Sequence, residues 1–471
     1  MRTILRFVLS FVFAAMIISA AYAQPPPTLL WSNPVYTFAI ALSANGQYVV
    51  VGTIAEVRFY GRSSSTPLWT HSGQDDFTSV AISADGSYVA AGGFGGVYFW
   101  ANARSLAGNP DPTWSSGSIG GPIERRCLAI SDDGNHVAAC VRGIYNLSGP
   151  NVFYWADAAG KSGPNIADTW DYSLASEVLA IAISDDGNHV AAVGFDDVNE
   201  GTEGVLGYWN NARSLTGHPQ PTWRGQERGE EFVDVAISDD GNFVAVAGHA
   251  IRPSTVYYWA GATTRTGTLE PHTWAGGVDV QFTSVDISCD GDSVIAGAEV
   301  LIQQAISGAG VAVAGAPANG PPSGSVYFWG GARGLTGSPL PTWVYPTPEL
   351  VLDVAINDAG TYMAAVNPNL DTLYFFDKQG NLLWQDVWQD VDIGGDKLSI
   401  SCDGGTLAVG TPTPLTAYLF DTGFSSACCG VEAVGGVVEP VNKLAIAARY
   451  LVLGLAVLAI VAVAPWKKRE K

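Results

Sequence analysis

Charged residues and catalytic signatures are both scarce in this chain of 471 residues. Only 14% of the residues are charged, and there are only three Met and six scattered His. The sequence contains no Cys-x-x-Cys, His-Glu-x-x-His or Gly-x-Ser-x-Gly motif and no phosphate-binding glycine loop. Its acidic turns also lack the alternating Asp spacing of a calcium loop. We therefore predict no catalytic residues, no metal ligands and no cofactor.

Basic residues are especially few, and the net charge is −21. Because Arg2, Arg6 and the basic run 467–471 lie at the two ends, the part between them is more acidic still. Such a surface repels nucleic acid and anionic lipid, so we expect neither as a partner. What the chain has instead is 55 Gly and 15 Trp, which is typical of an all-β protein with many turns.

The two ends of the chain have the pattern of targeting segments. Residues 1–23 combine two Arg, an apolar run and Ala21-Tyr-Ala23, which predicts a signal peptide cleaved before Gln24, with an uncleaved anchor as the alternative. Residues 444–466 are apolar enough for a transmembrane helix and precede a basic cytoplasmic tail, 467–471. This predicts a single-pass membrane protein with an extracellular domain at 24–421 and a flexible linker at 422–443. A sorting tail cleaved after export is the alternative.

One polar turn, flanked by short apolar runs, recurs at intervals of 40 to 54 residues, with one longer interval of 69. Such a repeat length is the sequence mark of a β-propeller. The eight copies are Ser43-Ala-Asn-Gly46, Ser83-Ala-Asp-Gly86, Ser131-Asp-Asp-Gly134, Ser184-Asp-Asp-Gly187, Ser238-Asp-Asp-Gly241, Ser288-Cys-Asp-Gly291, Asn357-Asp-Ala-Gly360 and Ser401-Cys-Asp-Gly404. Each copy is interpreted as the a–b hairpin of a four-stranded blade, with Gly supplying a positive φ.

The rest of each repeat supplies strands c and d. In the second repeat, 79–83 and 88–92 are predicted as strands a and b, 96–100 as strand c, and 112–114 as the start of strand d. The eighth repeat stops after strand c at Asp421, whereas Thr28-Leu-Leu-Trp31 is a spare strand d. We predict that this N-terminal strand completes the last blade and closes a ring of eight blades. A ring of seven blades with one degenerate repeat is the alternative.

Two repeat patterns resemble known families. Val-Ala-Ile-Ser-Asp-Asp-Gly-Asn, followed by Val-Ala, is similar to the a–b hairpin of WD40-like propellers, although the Gly-His and Trp-Asp dipeptides of that family are absent. Leu373-Tyr-Phe-Phe-Asp-Lys-Gln-Gly-Asn-Leu-Leu-Trp384 resembles the repeat of quinoprotein alcohol dehydrogenase-like propellers, which implies a Trp docked between blades. Residues 437–444 are similar to juxtamembrane segments of some archaeal surface proteins. Both propeller families include many non-catalytic members, so the resemblance implies the fold but not an activity.

The strand directions assign the loops to two faces. The a–b turns and c–d loops form a regular face, whose c–d loops place Arg104, Arg213 and Arg333 beside the acidic turns. We expect Arg–Asp pairs that brace each blade there, with a ligand-binding ring of arginines as the alternative. The b–c and d–a loops form an irregular face, with acidic segments at 195–203 and 226–231 and a long insert at 298–324. Since the chain leaves the last blade on the regular face, we expect the irregular face to bind a partner.

Six cysteines are present in a chain that is predicted to be exported. Cys127 and Cys140 flank one a–b hairpin and would face each other if its register continues outward from a two-residue turn; a bulged turn would break the pairing. Cys289 and Cys402 share one turn position two blades apart, so both are predicted to be free. Cys428 and Cys429 resemble the disulfide between adjacent cysteines that quinoprotein alcohol dehydrogenases carry against their cofactor. Because this pair follows the last strand and lies beside the membrane tail, we expect a stalk or intermolecular disulfide, with the quinoprotein feature as the alternative.

The sequence is compatible with two functions. The first is a non-catalytic module at the cell surface that binds an unknown protein or glycan through the irregular face. The second is a quinone- or metal-dependent oxidoreductase on the same scaffold. Charged side chains converging in the central channel would favour the enzyme, and an apolar or water-filled channel would favour the binding module. Asn146, in Asn-Leu-Ser, is a candidate glycosylation site on a b–c loop.

Overall fold

Eight four-stranded antiparallel sheets make up the protein. The computed structural model describes residues 27–142, 149–198, 201–250, 254–277, 280–299, 324–367, 372–387, 398–412 and 415–428. The first sixteen strands are β1 (Thr28–Asn33), β2 (Ala39–Leu42), β3 (Tyr48–Gly52), β4 (Ile54–Gly61), β5 (Trp69–Asp76), β6 (Ser79–Ile82), β7 (Tyr88–Gly93), β8 (Gly96–Ala101), β9 (Trp114–Ser115), β10 (Leu128–Ile130), β11 (Val137–Cys140), β12 (Val152–Trp155), β13 (Trp170–Tyr172), β14 (Glu177–Ile183), β15 (His189–Val198) and β16 (Gly201–Asn210).

The second half of the chain continues the same pattern. Its strands are β17 (Trp223–Arg228), β18 (Glu231–Ile237), β19 (Phe243–His249), β20 (Thr255–Ala260), β21 (Trp274–Gly277), β22 (Gln281–Ile287), β23 (Ser293–Glu299), β24 (Gly324–Gly330), β25 (Trp343–Thr347), β26 (Asp353–Ile356), β27 (Tyr362–Asn367), β28 (Thr372–Asp377), β29 (Leu382–Val387), β30 (Leu398–Ile400), β31 (Thr406–Pro412) and β32 (Leu415–Asp421). Short 3₁₀ turns in the c–d loops span Ala103–Ser105, Ala158–Gly160, Ala212–Ser214, Ala262–Thr264 and Ala332–Gly334.

The predicted ring of eight blades is confirmed. Seven blades use four consecutive strands, from β2–β5 to β26–β29, and the eighth has the order β1-β32-β31-β30. In that blade Trp31 of β1 pairs with Leu419 of β32 in antiparallel register. The N-terminal strand therefore supplies the missing strand d, and the alternative of seven blades is wrong. In the second repeat, the observed strands agree with the predicted ones to within about two residues.

The recurring turn is built by its own side chains. In the third blade Ser131 accepts a hydrogen bond from the N–H of His136 at 3.0 Å and donates to Asp133 at 2.6 Å. The carbonyl of Ser131 accepts from the N–H of Gly134 at 2.8 Å, and Gly134 has φ +70°. A β-carbon is disfavoured at that φ, which explains why each copy ends in Gly. The Ser-x-Asp-Gly pattern, which six of the eight copies share, therefore recurs because it forms the turn.

The Trp of strand d ties each blade to the next. Trp69, Trp114, Trp170, Trp223 and Trp274 are buried, and each indole N–H donates to the carbonyl of the Ala that opens the 3₁₀ turn of the following blade, at 2.8 to 3.0 Å. Each of these rings also packs against the Trp of strand c in the following blade, with ring centroids 5.3 to 6.1 Å apart. The inter-blade Trp that the resemblance implied is therefore observed.

Three sequence predictions fall largely on residues outside the described ranges. These are the signal peptide at 1–23, the transmembrane helix at 444–466, and the insert at 298–324, of which only the two ends are described. Among the residues that the structure does describe, no helix is long and apolar enough to cross a membrane. The membrane topology therefore stays a prediction.

Candidate functional site: the central channel and its two ends

The wall of the central channel is mainly apolar. Strand a of the first six blades lines a cavity of about 370 Å³ with Ala, Val, Ile and Leu side chains, and Asp286 is the single ionisable residue among those lining it. Burial raises the pKa of Asp286 to about 7. Its carboxylate accepts hydrogen bonds from the N–H groups of Ile287 at 2.8 Å and Ile356 at 2.9 Å, so it joins strand a of the sixth blade to that of the seventh.

Charged side chains do converge where the channel opens on the irregular face. Arg126, in the d–a loop before β10, donates to the carbonyl of Thr283 at 2.6 Å and lies 3.6 Å from the carboxylates of Asp234 and Asp353. These partners belong to the fifth, sixth and seventh blades, so the side chain reaches across the channel from the third. The two carboxylates are only 9% and 10% exposed. Arg126 thus neutralises two buried charges and occupies the channel opening.

The carboxylates that hold Arg126 also link blades. Asp234 accepts the N–H of Val285 at 2.9 Å, and Asp353 accepts the N–H of Leu398 at 3.3 Å. Ser284, in the blade between them, donates to one or the other at 3.1 Å. The cluster therefore uses its polar atoms on the protein itself, and such internal satisfaction is the usual condition of a buried polar network.

At the regular face backbone hydrogen bonds join the second residues of most neighbouring a–b turns around the axis. Ala84 donates to Asp132, Asp132 to Asp185, Asp185 to Asp239, Asp239 to Cys289, and Cys289 to Asp358, at 3.0 to 3.2 Å. Cys402 donates to the carbonyl of Ala44 at 2.9 Å, which joins the eighth blade to the first. We call these second turn residues the hub. The eight turns therefore narrow the channel at this end.

Four hub residues bring carboxyl groups close together. Burial raises the pKa of Asp132, Asp185 and Asp239, and repulsion among the carboxylates contributes to each shift. Burial, with repulsion from Asp132, raises the pKa of Asp358 to about 7. Repulsion between Asp132 and Asp358 acts across the ring, since these residues belong to the third and seventh blades. Asp132 and Asp239 each hydrogen bond to Asp185, which requires shared protons.

A possible metal-ligand group at the hub is chemically unsuitable for a metal. A carboxylate oxygen of Asp358 and the sulfurs of Cys402 and Cys428 lie within 4.8 Å of one another. However, Cys402 and Cys428 are joined by a disulfide, with their Cα atoms 5.2 Å apart. The thiolate is the metal-binding form of cysteine, so these sulfurs are not available as ligands.

The Cys402–Cys428 disulfide corrects the prediction for each of these two cysteines. Cys402 was predicted to be free, but it bonds to Cys428, because residues 422–428 fold back from β32 over the regular face. The hydroxyl of Ser426 accepts a hydrogen bond from the amide of Asn357 at 2.8 Å, and Phe424 packs on Tyr362 with ring centroids 5.3 Å apart. Cys289 is also disulfide-bonded, so the prediction that it is free is wrong.

Cys428 forms neither the expected stalk or intermolecular disulfide nor a bond to its neighbour, because it bonds to Cys402. The bond to Cys402 uses its sulfur, so the adjacent-cysteine feature of quinoprotein alcohol dehydrogenases is not present. Cys429 itself lies outside the described residues. This correction removes the feature that most directly suggested an enzyme.

Cys127 and Cys140 form a disulfide with their Cα atoms 4.6 Å apart. The adjoining pairs Leu128 with Ala139 and Ile130 with Val137 show the register on which this bond depends. The loop between the hydrogen-bonded residues Ser131 and His136 has four residues, 132–135, instead of the expected two, but both lengths give the same pairing of Cys127 with Cys140. Asn146, the candidate glycosylation site, lies outside the described residues.

The three arginines of the c–d loops brace the turns of their own blades. Arg104 lies 3.2 Å from the carboxylate of Asp85, and Arg333 lies 3.4 Å from that of Asp290. Arg213 instead donates to the backbone carbonyl of Asp186 at 3.4 Å. The expected carboxylate pair is therefore confirmed for two arginines and wrong for the third.

The irregular face carries acidic side chains in several states of exposure. Asp197, on the hairpin of β15 and β16, is exposed, and Arg228 approaches Glu203 at 3.5 Å. Glu230 is buried in the loop before β18, and burial raises its pKa to about 8. The hydroxyl of Tyr257 donates to Glu230 at 3.3 Å. The predicted acidic segments therefore include both surface charges and a buried group.

Sequence reasoning missed the residues that meet on the channel axis. Asp234, Ser284 and Asp353 each precede the first turn residue by four positions, where the first and fourth repeats have Ala39 and Ala180. An alignment of the repeats would therefore have shown carboxylates at a strand a position where other repeats have Ala, and this difference could have indicated the cluster. Arg126 has no such signal, because its partners lie in other blades.

Solved structures share this fold at low sequence identity. BamB from Moraxella catarrhalis is 13% identical with a TM-score of 0.53, and the match covers 84% of this chain and 99% of that one. The C-terminal WD40 domain of Sif2 is 12% identical, with a TM-score of 0.58 and coverage of 84% and 99%. Chaetomium thermophilum Sqt1, bound to the N-terminus of the ribosomal protein L10, is 14% identical, with a TM-score of 0.58 and coverage of 85% and 99%.

These similarities establish the architecture alone. The protein has the fold of an eight-bladed β-propeller, similar to WD40 domains and to BamB. No protein-family model matches the chain, and no curated protein matches it. At such low identity the fold is shared without evidence of a shared function.

Proposed function

We propose that this protein is a non-catalytic propeller at the cell surface that binds a protein or glycan partner through its irregular face. The observation that carries the proposal is the Cys402–Cys428 disulfide, which fastens the end of the last blade over the regular face. The proposed anchor at 444–466 would follow from that face. An anchor there would leave the irregular face directed away from the membrane.

Two further features support a binding role. Loops held by a rigid scaffold are the usual place for recognition, and the irregular face has the most varied loops of this propeller. One of the similar structures, Sqt1, is bound to the N-terminus of another protein, which is a precedent for the scaffold. A propeller of this kind presents a broad surface to a macromolecule without requiring a deep pocket.

An oxidoreductase is the second candidate, and one observation favours it. Arg126, Asp234 and Asp353 place charged groups together in the channel, as a catalytic centre would require. Their hydrogen bonds are nevertheless directed at one another and at backbone groups, which favours a bracing role. Cys428 is also bonded to Cys402 of the hub, so it does not form the adjacent-cysteine disulfide of quinoprotein alcohol dehydrogenases. The binding module is therefore the stronger proposal.

The test is affinity capture with the full-length chain on the cells that express it, followed by identification of cross-linked partners. Asp197→Lys changes an exposed side chain of the irregular face, and Asp111→Lys makes the same change on an exposed c–d loop of the regular face. We expect the first variant to weaken capture and the second to leave it intact. The reverse pattern would contradict the proposed face. Failure to capture any partner, together with quinone-dependent dye reduction, would favour the enzyme.

A further inference from the structure

The exposed apolar side chains of the irregular face are concentrated in two neighbouring blades. Ile54 is 54% exposed and Phe94 is 58% exposed, and they stand on the b–c turns of the first and second blades. The other large exposed apolar side chains of the described residues lie on c–d loops or near the regular end of strand d: Leu29, Leu68, Leu269 and Leu340. The two sites on the irregular face therefore form a local feature and not a general property of the surface.

Backbone contacts join these two turns to a pair of aromatic residues. The N–H of Phe38 donates to the carbonyl of Gly52 at 2.8 Å, which places Phe38 beside the turn that bears Ile54. Tyr36 and Phe38 are both half-buried, with ring centroids 4.8 Å apart. On the other side, Ile54 is the strand partner of Asp76. We call Tyr36, Phe38, Ile54 and Phe94 the apolar stripe.

The stripe is held rigidly. Gly93 pairs with Gly96 across the hairpin, so Phe94 occupies one of the two tip positions. Asp75, which is buried, accepts the backbone N–H of Phe94 at 2.8 Å and links this turn to the end of β5. An apolar side chain exposed on a fixed turn loses little backbone entropy when it is covered, and such anchors dominate binding energy in many interfaces.

The charge beside the stripe indicates what kind of partner fits. Asp76 is partly exposed, and among the described residues its carboxylate has no ion-pair or hydrogen-bond partner. Glu56, on the same turn as Ile54, already pairs with Arg58 at 2.7 Å. An uncompensated carboxylate between apolar side chains attracts a cation flanked by apolar groups. A second copy of this chain, with a net charge of −21, would be repelled by the acidic surface.

We propose that the apolar stripe and Asp76 bind an extended peptide segment of a protein partner, in which a Lys or Arg is flanked by apolar or aromatic side chains. The cation pairs with Asp76, while the flanking side chains cover Ile54 and Phe94. This inference rests on the proposed binding function and specifies the part of the irregular face and the class of partner.

The probe is a library of random phage-displayed peptides selected on the full-length protein, with affinities of the selected peptides measured afterwards by fluorescence anisotropy. We expect selection of sequences with a basic residue next to apolar ones. Phe94→Ser and Asp76→Lys should each weaken their binding at least about tenfold. Leu340→Ser, at a position 83% exposed on the regular face, should leave it unchanged. Thermal melting of each variant checks that it folds.

Other outcomes overturn the inference. These are selection of no peptide, selection without basic residues, or binding that survives both stripe substitutions in folded variants. Glycan binding that Phe94→Ser abolishes would reassign the stripe to carbohydrate, and self-association lost in the same variant would reassign it to a second copy. Cellular capture that is weakened by Asp197→Lys but not by Phe94→Ser would refute the stripe while leaving the proposed function intact.

Discussion

Replacing Arg126 with Met tests whether the channel opening is held shut by electrostatics. The substitution keeps an unbranched side chain but leaves Asp234 and Asp353 without their cation, although both are almost fully buried. At 3.6 Å and an effective dielectric constant of about 20, each pair has a gross attraction of about 4 to 5 kcal/mol. Removing one partner of a buried pair costs about 3 to 5 kcal/mol net. Because the guanidinium is 19% exposed, we expect a loss of about 3 kcal/mol.

Calorimetry can measure this loss. For a propeller of about 400 residues, the unfolding entropy of about 2.1 cal/mol/K per residue converts 3 kcal/mol into a decrease of about 4 °C in Tm. Arg142→Met is the matched control, because Arg142 pairs with Glu177 at 2.6 Å on the same face but is 37% exposed. Exposed pairs contribute about 1 kcal/mol or less, so this control should change Tm by about 1 °C.

Neutralising the orphaned carboxylates should restore part of the lost stability. Asp234→Asn and Asp353→Asn in the Arg126→Met background remove both buried charges, while the amide oxygens can still accept the N–H groups of Val285 and Leu398. We expect the triple variant to melt above Arg126→Met alone, as a non-additive coupling of residues in one network. A Tm for Arg126→Met equal to that of the Arg142→Met control, or no recovery in the triple variant, would refute the stabilising role of Arg126 between the two buried carboxylates.

Three further predictions concern other parts of the propeller. Trp343→Phe should lower the free energy of unfolding by about 1 kcal/mol more than Trp384→Phe in denaturant titrations. Both rings stack similarly, but the N–H of Trp343 donates to the carbonyl of Lys378, whereas that of Trp384 has no partner among the described residues. Equal losses would contradict the role of this bond. Reduction of the disulfides should expose the chain after Phe424 to protease before the blades unfold, as mass spectrometry of early fragments can show; late cleavage there would contradict the pinned tail. Raising the pH should destabilise the hub, because the folded-state pKa of Asp358 lies above the unfolded value of 3.8: the penalty is absent below pH 3.8, grows as the pH rises and is complete above about 7. Asp358→Asn should flatten this part of the pH dependence of Tm, and an unchanged slope would refute the assignment.

The blade count was predictable because every repeat carries its own local signals. Ser131, Asp133 and Gly134 determine their turn through contacts within five residues, and the same chemistry recurs in the other copies. The closing strand was predictable for a related reason, since Thr28-Leu-Leu-Trp31 matches Asn381-Leu-Leu-Trp384. The turn residues of each repeat, together with the missing strand d of the eighth repeat, were therefore sufficient to predict the closed ring of eight blades.

The contents of the channel were not predictable in the same way. Arg126 meets Asp234 and Asp353 only because the diameter of the ring lets one side chain span it. Cys402 meets Cys428 because the segment after β32 folds back onto the hub, and that segment has no counterpart in the other repeats. Both contacts depend on the geometry of the closed ring, and the pattern of residues along a short stretch of sequence does not determine that geometry.

Among the described residues, the indole N–H of Trp384 has no hydrogen-bond partner, and this has the same origin as the closure of the ring. Trp384 lies on strand d of the seventh blade. In other blades the indole N–H of the strand d Trp donates to a carbonyl in the c–d loop of the next blade. The eighth blade has no c–d loop, because its strand d is β1 from the other end of the chain. That same arrangement determines the order of assembly. During synthesis β1 emerges first and its partner β32 emerges last, so seven blades can form and stack before the ring closes. The nascent propeller is therefore open at its eighth blade for most of its synthesis, with one sheet edge that needs protection until the final pairing.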